Sequence, residues 1–225
     1  MEKKYEIVSL GQNCLPRTIL TRWNIKPSKS QGELSGPFDL VRHELDRIIH
    51  YIENDFEGYF DDLYFKLGKK NIFDFRGRGL WLKNDGTAFF HDKDCKKNDK
   101  EKLVQRISRR IDNFRKIIKA DRPVLFVMNV TNYTNDPHVN AKLEELFNVL
   151  KRARGDKFFK LALLDFNYEI DDSDKYYVLR LPEPLKDYNK YWNKPMFIKS
   201  KFGKFFEMTI CKFIEYILEK DFKYQ

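Results

Sequence analysis

The sequence predicts an α/β fold: a three-layer arrangement with a mostly parallel sheet between helices. Strand-like stretches alternate four times with helical ones, which is typical of this class. The stretch VLFVMNV (124–130) is an apolar run with no alternation, as expected for a strand covered on both faces. The 225 residues suit one domain, residues 1–225. Ligands of such sheets bind beyond the carboxyl ends of the strands.

The first predicted unit is a strand at 5–10, ended by Gly11 and followed by a helix from about residue 13 to 23. An irregular β-rich insertion is predicted at 63–92, with strand candidates LYFKL, NIFDF, GLWLK and TAFFH. The other predicted elements are helices at 43–54, 103–118, 141–154 and 202–220, and strands at 124–130, 158–166 and 176–181.

The composition excludes several classes of protein. Hydrophobic residues make up 42% and aromatic residues 16%, too much apolar surface for a disordered polyelectrolyte. No apolar run of about 18 residues occurs, and the first residues do not resemble a signal peptide, so we expect a cytoplasmic protein without a membrane span. Three widely spaced cysteines fit neither a disulfide framework nor a metal site; they are Cys14, Cys95 and Cys211.

The net charge of +9 is unevenly distributed. Residues 93–122 contain 12 Lys and Arg against 5 Asp and Glu, and residues 186–204 contain 6 Lys against Asp187 alone. Residues 39–62 show the reverse, with 8 acids against 2 arginines. This distribution favours an anionic substrate or partner. A Lys-rich surface that only promotes solubility is the alternative.

Cys14 follows a strand and a glycine at the point where a helix is predicted to begin. A helix amino terminus lowers the pKa of a nearby thiol and so favours the nucleophilic thiolate. The sequence therefore indicates a candidate nucleophile, the alternative being a small buried hydrophobic residue. A cysteine nucleophile needs a base. Of the four histidines, His91 is the leading candidate because it closes the strand-like TAFFHD.

Six short blocks, in this order along residues 5–130, resemble the DUF1796 family, which is described as papain-like cysteine peptidases. They are VSLGQNC, GPFDL, NDFEGYF, FFHD, RRIDNF and VLFVMN. The resemblance implies a catalytic pair at Cys14 and His91, and it makes Asp39 a motif position. Leu40 stands where the family usually has Trp, and the Cys-Gly-Ser-Cys-Trp run of papain itself is absent. A nucleophile placed after a parallel strand is also similar to the elbow of α/β hydrolases.

The remaining site residues have alternatives. Gln12 and Asn13 are candidates for the oxyanion site, or else turn residues. Arg109 and Arg110 are candidates for binding a phosphate or carboxylate, or else solvated side chains. The residue that orients His91 is Asp39, Asn129 or Asp165. Motifs for nucleotide hydrolysis, dinucleotide binding and zinc proteolysis are absent from the sequence.

These observations predict a cysteine-dependent acyl-transfer enzyme, either a hydrolase or an acyltransferase, that requires no cofactor and binds no metal. A weaker similarity to the WcbI-type capsule acetyltransferases implies acyl-CoA as co-substrate and a role in surface-polysaccharide biosynthesis. The expected substrate is an anionic small molecule, glycan or peptide. The alternative is a non-catalytic module that binds a polyanion, with nucleic acid the less favoured partner. The oligomeric state is left open.

Overall fold

A computed structural model describes residues 4–32, 34–67, 79–92, 94–131, 136–166, 170–181, 185 and 187–223. Its helices and strands are, in chain order, β1 (Glu6–Ser9), α1 (Leu15–Arg22), α2 (Leu45–Glu53), β2 (Tyr64–Leu67), β3 (Gly79–Leu82), α3 (Lys100–Lys119), β4 (Val124–Val130), α4 (Val139–Arg154), β5 (Phe159–Asp165), β6 (Tyr177–Arg180), α5 (Tyr188–Asn193), α6 (Pro195–Ile198) and α7 (Lys201–Ile217). A 3-10 turn at Lys29–Gln31 and a π-helical turn at Leu218–Phe222 complete the list.

The central sheet has four strands in the order β1-β4-β5-β6. Every neighbouring pair is parallel, and Glu6 and Phe159 lie on either side of Val124 in the register. The predicted α/β class is therefore confirmed. Because the strands are parallel, all their carboxyl ends meet at one edge of the sheet, which we call the carboxyl edge.

Helices cover both faces of the sheet. Alternate strand residues such as Val8 and Phe126 pack in one hydrophobic cluster with α2, α3 and α4, and we call this side the α3/α4 face. The intervening residues, such as Ile7 and Val127, pack in a second cluster with α1, α5 and α7, on the α1/α7 face. The two clusters explain why β4 shows no alternation of polar and apolar residues, since each of its faces is covered.

Two predictions about local structure were wrong. The TAFFH stretch is not a strand: Ala88 forms only isolated bridges, to Arg42 and Leu82, and the chain then turns. The helices α5 and α6 were not predicted, because Pro195 divides this stretch into segments too short to show helical periodicity. LYFKL and GLWLK contain β2 and β3, which pair as antiparallel strands. The NIFDF candidate lies outside the described residues.

One buried side chain joins three elements at the amino ends of the strands. Arg154, at the end of α4, is 1% exposed and donates hydrogen bonds to five backbone carbonyls. Three of these carbonyls end α3, and the other two precede β4 and β5; they belong to Ile117, Ile118, Ala120, Arg122 and Phe158. The carbonyl end of a helix carries partial negative charge, so it stabilises this guanidinium. Arg154 thereby fixes the edge opposite the carboxyl edge.

Candidate active site at the carboxyl edge of the sheet

The loop between β1 and α1 places Cys14 at the amino end of the helix. Cys14 is the N-cap residue of α1, and the Oδ1 atom of Asn13 accepts a hydrogen bond of 2.9 Å from the backbone N–H of Leu15. A Cβ atom on Gly11 would lie 1.9 Å from the carbonyl oxygen of Asn13. Only glycine therefore permits this tight loop, and the loop in turn determines the position of the thiol.

Gln12 attaches the same loop to the neighbouring strand. Its side chain is 3% exposed, and its Oε1 atom accepts hydrogen bonds from the N–H (2.6 Å) and the hydroxyl (3.2 Å) of Thr131, just after β4. Both predicted oxyanion residues, Gln12 and Asn13, thus use their amide oxygens to build the loop. The amide nitrogen is the donor group of each side chain.

His91 lies in a turn rather than at the end of a strand. The next residue anchors this turn, because the fully buried carboxylate of Asp92 accepts hydrogen bonds from Arg106 (2.9 Å) and Arg110 (3.2 Å) of α3. Arg106 also holds Asp94 through two hydrogen bonds, of 2.7 and 2.6 Å. These ion pairs supply the rigidity that the sequence analysis expected from a strand.

The Nε2 atom of His91 lies 3.1 Å from the Sγ atom of Cys14, although 77 residues separate the two in sequence. Cys14 is half-buried and His91 is exposed, so the pair lies where the interior meets the solvent. At this distance the imidazole can receive the thiol proton directly. The arrangement can perform nucleophilic chemistry on a molecule that approaches from the solvent.

Burial raises the pKa of the Cys14 thiol above its usual value. A backbone hydrogen bond and a hydrogen bond with Thr18 act in the opposite direction but are weaker. The prediction of a lowered pKa was therefore wrong, because loss of solvent outweighs these two hydrogen bonds. A thiol of this kind holds its proton near neutral pH, so it depends on a base to become nucleophilic.

Asp39 is buried and forms an ion pair with Arg17 on the first turn of α1, at 2.6 Å. Its Oδ2 atom also accepts the N–H of Gly36, at 2.8 Å. The carboxylate thus connects the GPFDL loop to the helix that begins at Cys14. Sequence reasoning did not identify Arg17, because its position among the apolar residues of α1 gives no signal without the fold.

The two other residues predicted as candidates to orient His91 lie on opposite faces of the sheet. Asn129 is fully buried next to the carboxyl end of β4, and among the described residues neither polar atom of its amide has a hydrogen-bond partner. The hydroxyl of Ser9, also buried, likewise has none. Strand alternation places both on the α1/α7 face, the side on which Cys14 packs. Asp165 faces the other side and accepts the N–H of Ile170, at 3.0 Å.

The two arginines proposed for anion binding occupy different environments. Arg110 is half-buried and bonded to Asp92, at 3.2 and 3.3 Å, so its guanidinium supports the turn that carries His91. Arg109 is exposed on α3. Arg106, which sequence reasoning missed, contributes more to the site than Arg109. Its position four residues before Arg110 on the helix is the signal that could have identified it.

A cavity of about 420 Å³ lies between the end of α2 and the turn after β3, and Cys14 is not among its lining residues. Its polar lining includes Tyr51, Lys83 and Asp85. Within the described part of the chain, no group of three or more His, Cys, Asp and Glu side chains is arranged to hold a metal ion. Among the described helices, none is both long and apolar enough to cross a bilayer.

Comparison with known proteins places the chain in a family. Residues 5–168 match the family described as "Putative papain-like cysteine peptidase (DUF1796)". The match includes both residues of the pair and extends beyond β5. Searches of curated proteins and of solved structures found no match. Since the family match covers more than half of the chain, this protein belongs to the DUF1796 family.

Proposed function

We propose that the protein is a cysteine-dependent acyl-transfer enzyme in which Cys14 is the nucleophile and His91 is the general base. The 3.1 Å distance between the His91 Nε2 and Cys14 Sγ atoms is the observation that carries this proposal. The family description is consistent with a cysteine-dependent enzyme. The raised pKa of the thiol supports a mechanism in which the histidine removes the proton during attack.

The reaction proceeds in two halves. His91 takes the thiol proton while the sulfur of Cys14 attacks a substrate carbonyl, which forms a tetrahedral oxyanion. The oxyanion collapses, the bond to the leaving group breaks, and His91 returns the proton to the leaving group. A thioester on Cys14 remains. His91 then activates the second acceptor, which is water in a hydrolase and a hydroxyl or amine in an acyltransferase, and the thiol is regenerated.

The loop residues have supporting roles in this proposal. The amino end of α1 supplies positive electrostatic potential near the oxyanion, and the amide nitrogens of Gln12 and Asn13 are the side-chain donors closest to it in the chain. Asp39 acts through Arg17 and positions the helix that carries the nucleophile. Asn129 is our proposed orienter, since its amide is unpartnered on the face where Cys14 packs.

We propose an anionic acyl donor or acceptor as the substrate. The excess of Lys and Arg in residues 93–122 supports this choice, because these residues include α3, whose arginines flank the turn of His91. Arg109 is the exposed arginine of α3 that we assign to the substrate anion. Acyl-CoA is the co-substrate that a transferase of this kind would use, and a phosphorylated surface glycan would be the acceptor, in the cytoplasm.

The test is to trap the acyl-enzyme. The protein is incubated with 4-nitrophenyl acetate or with acetyl-CoA, and peptide mapping by mass spectrometry locates any acetyl group. We expect the acetyl group on Cys14, and we expect Cys14→Ser to lower turnover by at least ~1000-fold. Cys95→Ala is the matched control, because Cys95 is a buried thiol that lies only four residues after His91. Acetylation of Cys95 in place of Cys14, or full turnover by Cys14→Ser, would overturn the proposal.

A second test separates the role of His91 from that of the nucleophile. Iodoacetamide alkylates thiolates, so the rate at Cys14 reports how easily its proton is lost. Because burial raises the pKa of this thiol, we expect His91→Ala to slow alkylation at neutral pH by at least ~10-fold. In the same variant the rate should recover only at alkaline pH. Equal rates in the two proteins at every pH would show that His91 is not the base.

A further inference from the structure

The corner between α6 and α7, residues 194–205, exposes large apolar side chains. Met196 is 76% exposed, Phe202 is 51% exposed and Phe205 is 46% exposed. Phe202 and Phe205 are three residues apart on α7 and therefore lie on neighbouring positions of the helix surface. Large apolar groups that are exposed together at one place indicate an interaction surface.

The same corner is strongly basic. Lys194, Lys199, Lys201 and Lys204 are all exposed, and residues 194–205 contain no Asp or Glu. Within the part of the chain that the structure describes, none of these four lysines is paired with a carboxylate. The nearest acid before the corner, Asp187, already holds Lys190, at 2.7 Å. The positive charge is therefore available to an outside partner.

The corner is held in a fixed shape. The hydroxyl of Ser200 accepts the N–H of Gly203 at 3.0 Å and donates to the carbonyl of Phe197 at 2.6 Å. A Cβ atom on Gly203 would lie 2.0 Å from that carbonyl, so α6 and α7 are in direct backbone contact. The ring of Phe202 lies 6.4 Å from that of the buried Tyr191. The apolar side chains are thus presented on a rigid support.

The chemistry of the corner favours a lipid surface over a nucleic acid. Residues 194–205 contain no arginine, the residue that proteins prefer for binding phosphates of nucleic acids. The tyrosine and tryptophan nearest the corner, Tyr191 and Trp192, are buried and so are not available to stack with a single strand. Lysines beside exposed Phe and Met side chains are instead typical of interfacial helices, which insert apolar groups between lipids while the ammonium groups contact anionic headgroups.

We propose that the α6–α7 corner docks the protein on an anionic membrane surface. Met196, Phe202 and Phe205 enter the boundary between headgroups and acyl chains, and the four lysines bind the anionic headgroups. Attachment is peripheral and reversible, because few apolar groups are inserted and the electrostatic part of the attraction is sensitive to salt. The docking surface is independent of the Cys14–His91 pair, so failure of either proposal leaves the other standing.

The experiment is co-sedimentation of the whole protein with vesicles. One set of vesicles is pure phosphatidylcholine, and the other contains about a quarter phosphatidylserine. We expect binding to the second set alone, and we expect it to weaken at least ~10-fold between about 0.1 and 0.5 M NaCl. Replacing the three apolar residues by serine, or the four lysines by glutamine, should each weaken binding at least ~10-fold.

The matched control removes the same charge elsewhere. It replaces four exposed lysines distant in sequence from the corner by glutamine, namely Lys97, Lys116, Lys119 and Lys151. We expect this variant to bind within about twofold of the original protein. Equal binding to both vesicle sets, equal losses in the control and the corner variants, or no binding at all would overturn the proposal. So would a competing single-stranded oligonucleotide that binds the corner more tightly than the vesicles do.

Discussion

The buried histidine just before α2 predicts a loss of stability in mild acid. His43 is fully buried, and its Nε2 atom lies 2.8 Å from the hydroxyl oxygen of Tyr59. Burial lowers the pKa of His43 to about 3, with Lys83 acting in the same direction, while Asp85 and the backbone of Val41 oppose the change. The folded protein therefore resists protonation of this ring.

The sign and size of the effect follow from the difference between the pKa of His43 in the folded protein and its pKa in the unfolded chain. In the unfolded chain the imidazole has a pKa of about 6.5, so below that pH the unfolded state binds one more proton than the folded state. The stabilising effect of a neutral His43 is fully present above pH 6.5 and is lost as the pH falls toward 3. Each pH unit below about 6.5 lowers the free energy of unfolding by about 1.4 kcal/mol, so the loss reaches about 2 kcal/mol at about pH 5.

Urea unfolding, followed by tryptophan fluorescence, measures the loss. We expect His43→Gln to be less stable than the original protein at about pH 8 but to lose about 2 kcal/mol less between about pH 8 and pH 5. His50→Gln is the matched control, since His50 is exposed on α2, and it should retain the full pH dependence. The same loss in His43→Gln as in the original protein would refute the reasoning. If that variant does not fold, an NMR titration of the His43 ring near pH 6.5 in the original protein would refute it equally.

Three further predictions concern the supports of the site. Asp92→Ala removes the buried carboxylate that anchors the turn of the general base, so we expect slower alkylation of Cys14 while the circular dichroism spectrum is retained; an unchanged rate would contradict this. Asp39→Ala leaves Arg17 buried without its partner and should cost about 3–5 kcal/mol in urea unfolding, whereas a loss below about 1 kcal/mol would show that the pair is solvated. In Gly11→Ala the added Cβ collides with the loop before the thiol, so we expect turnover to fall by a larger factor than the equilibrium constant for folding; equal factors would argue against local displacement.

The periodicity of the sequence predicted the scaffold well because burial leaves a direct signal. The apolar run of β4 and the stripe of α3 correspond to residues that the structure buries, and the boundaries of the four sheet strands differ by at most one residue. The pairing of β1 with β4 has no such signal, since more than 100 residues intervene. Sequence reasoning therefore predicted the class of sheet, and the structure was needed to show its strand order.

The candidate site shows a similar limit. Position after a strand was enough to single out Cys14, and His91 was the leading histidine because it closes TAFFHD. The family resemblance implied the pair, and the structure places the two side chains within 3.1 Å of each other. The pKa of the thiol could not be predicted, because it depends on how much solvent the folded chain removes from the sulfur. The ion pairs of Asp39 and Asp92 also depend on distant residues, so the sequence offered several orienters and no means of choosing between them.

The five carbonyls bound by Arg154 lie at the opposite end of the sheet from the Cys14 loop. This side chain fastens the amino end of β4, and the Cys14 loop lies beyond its carboxyl end, about 20 Å away along the strand. A change in the loops at the carboxyl edge leaves the hydrogen bonds of Arg154 in place, and a change at Arg154 does not alter the residues that contact a substrate. The loops that meet a substrate can therefore change in sequence while the packing at the amino ends of the strands stays the same.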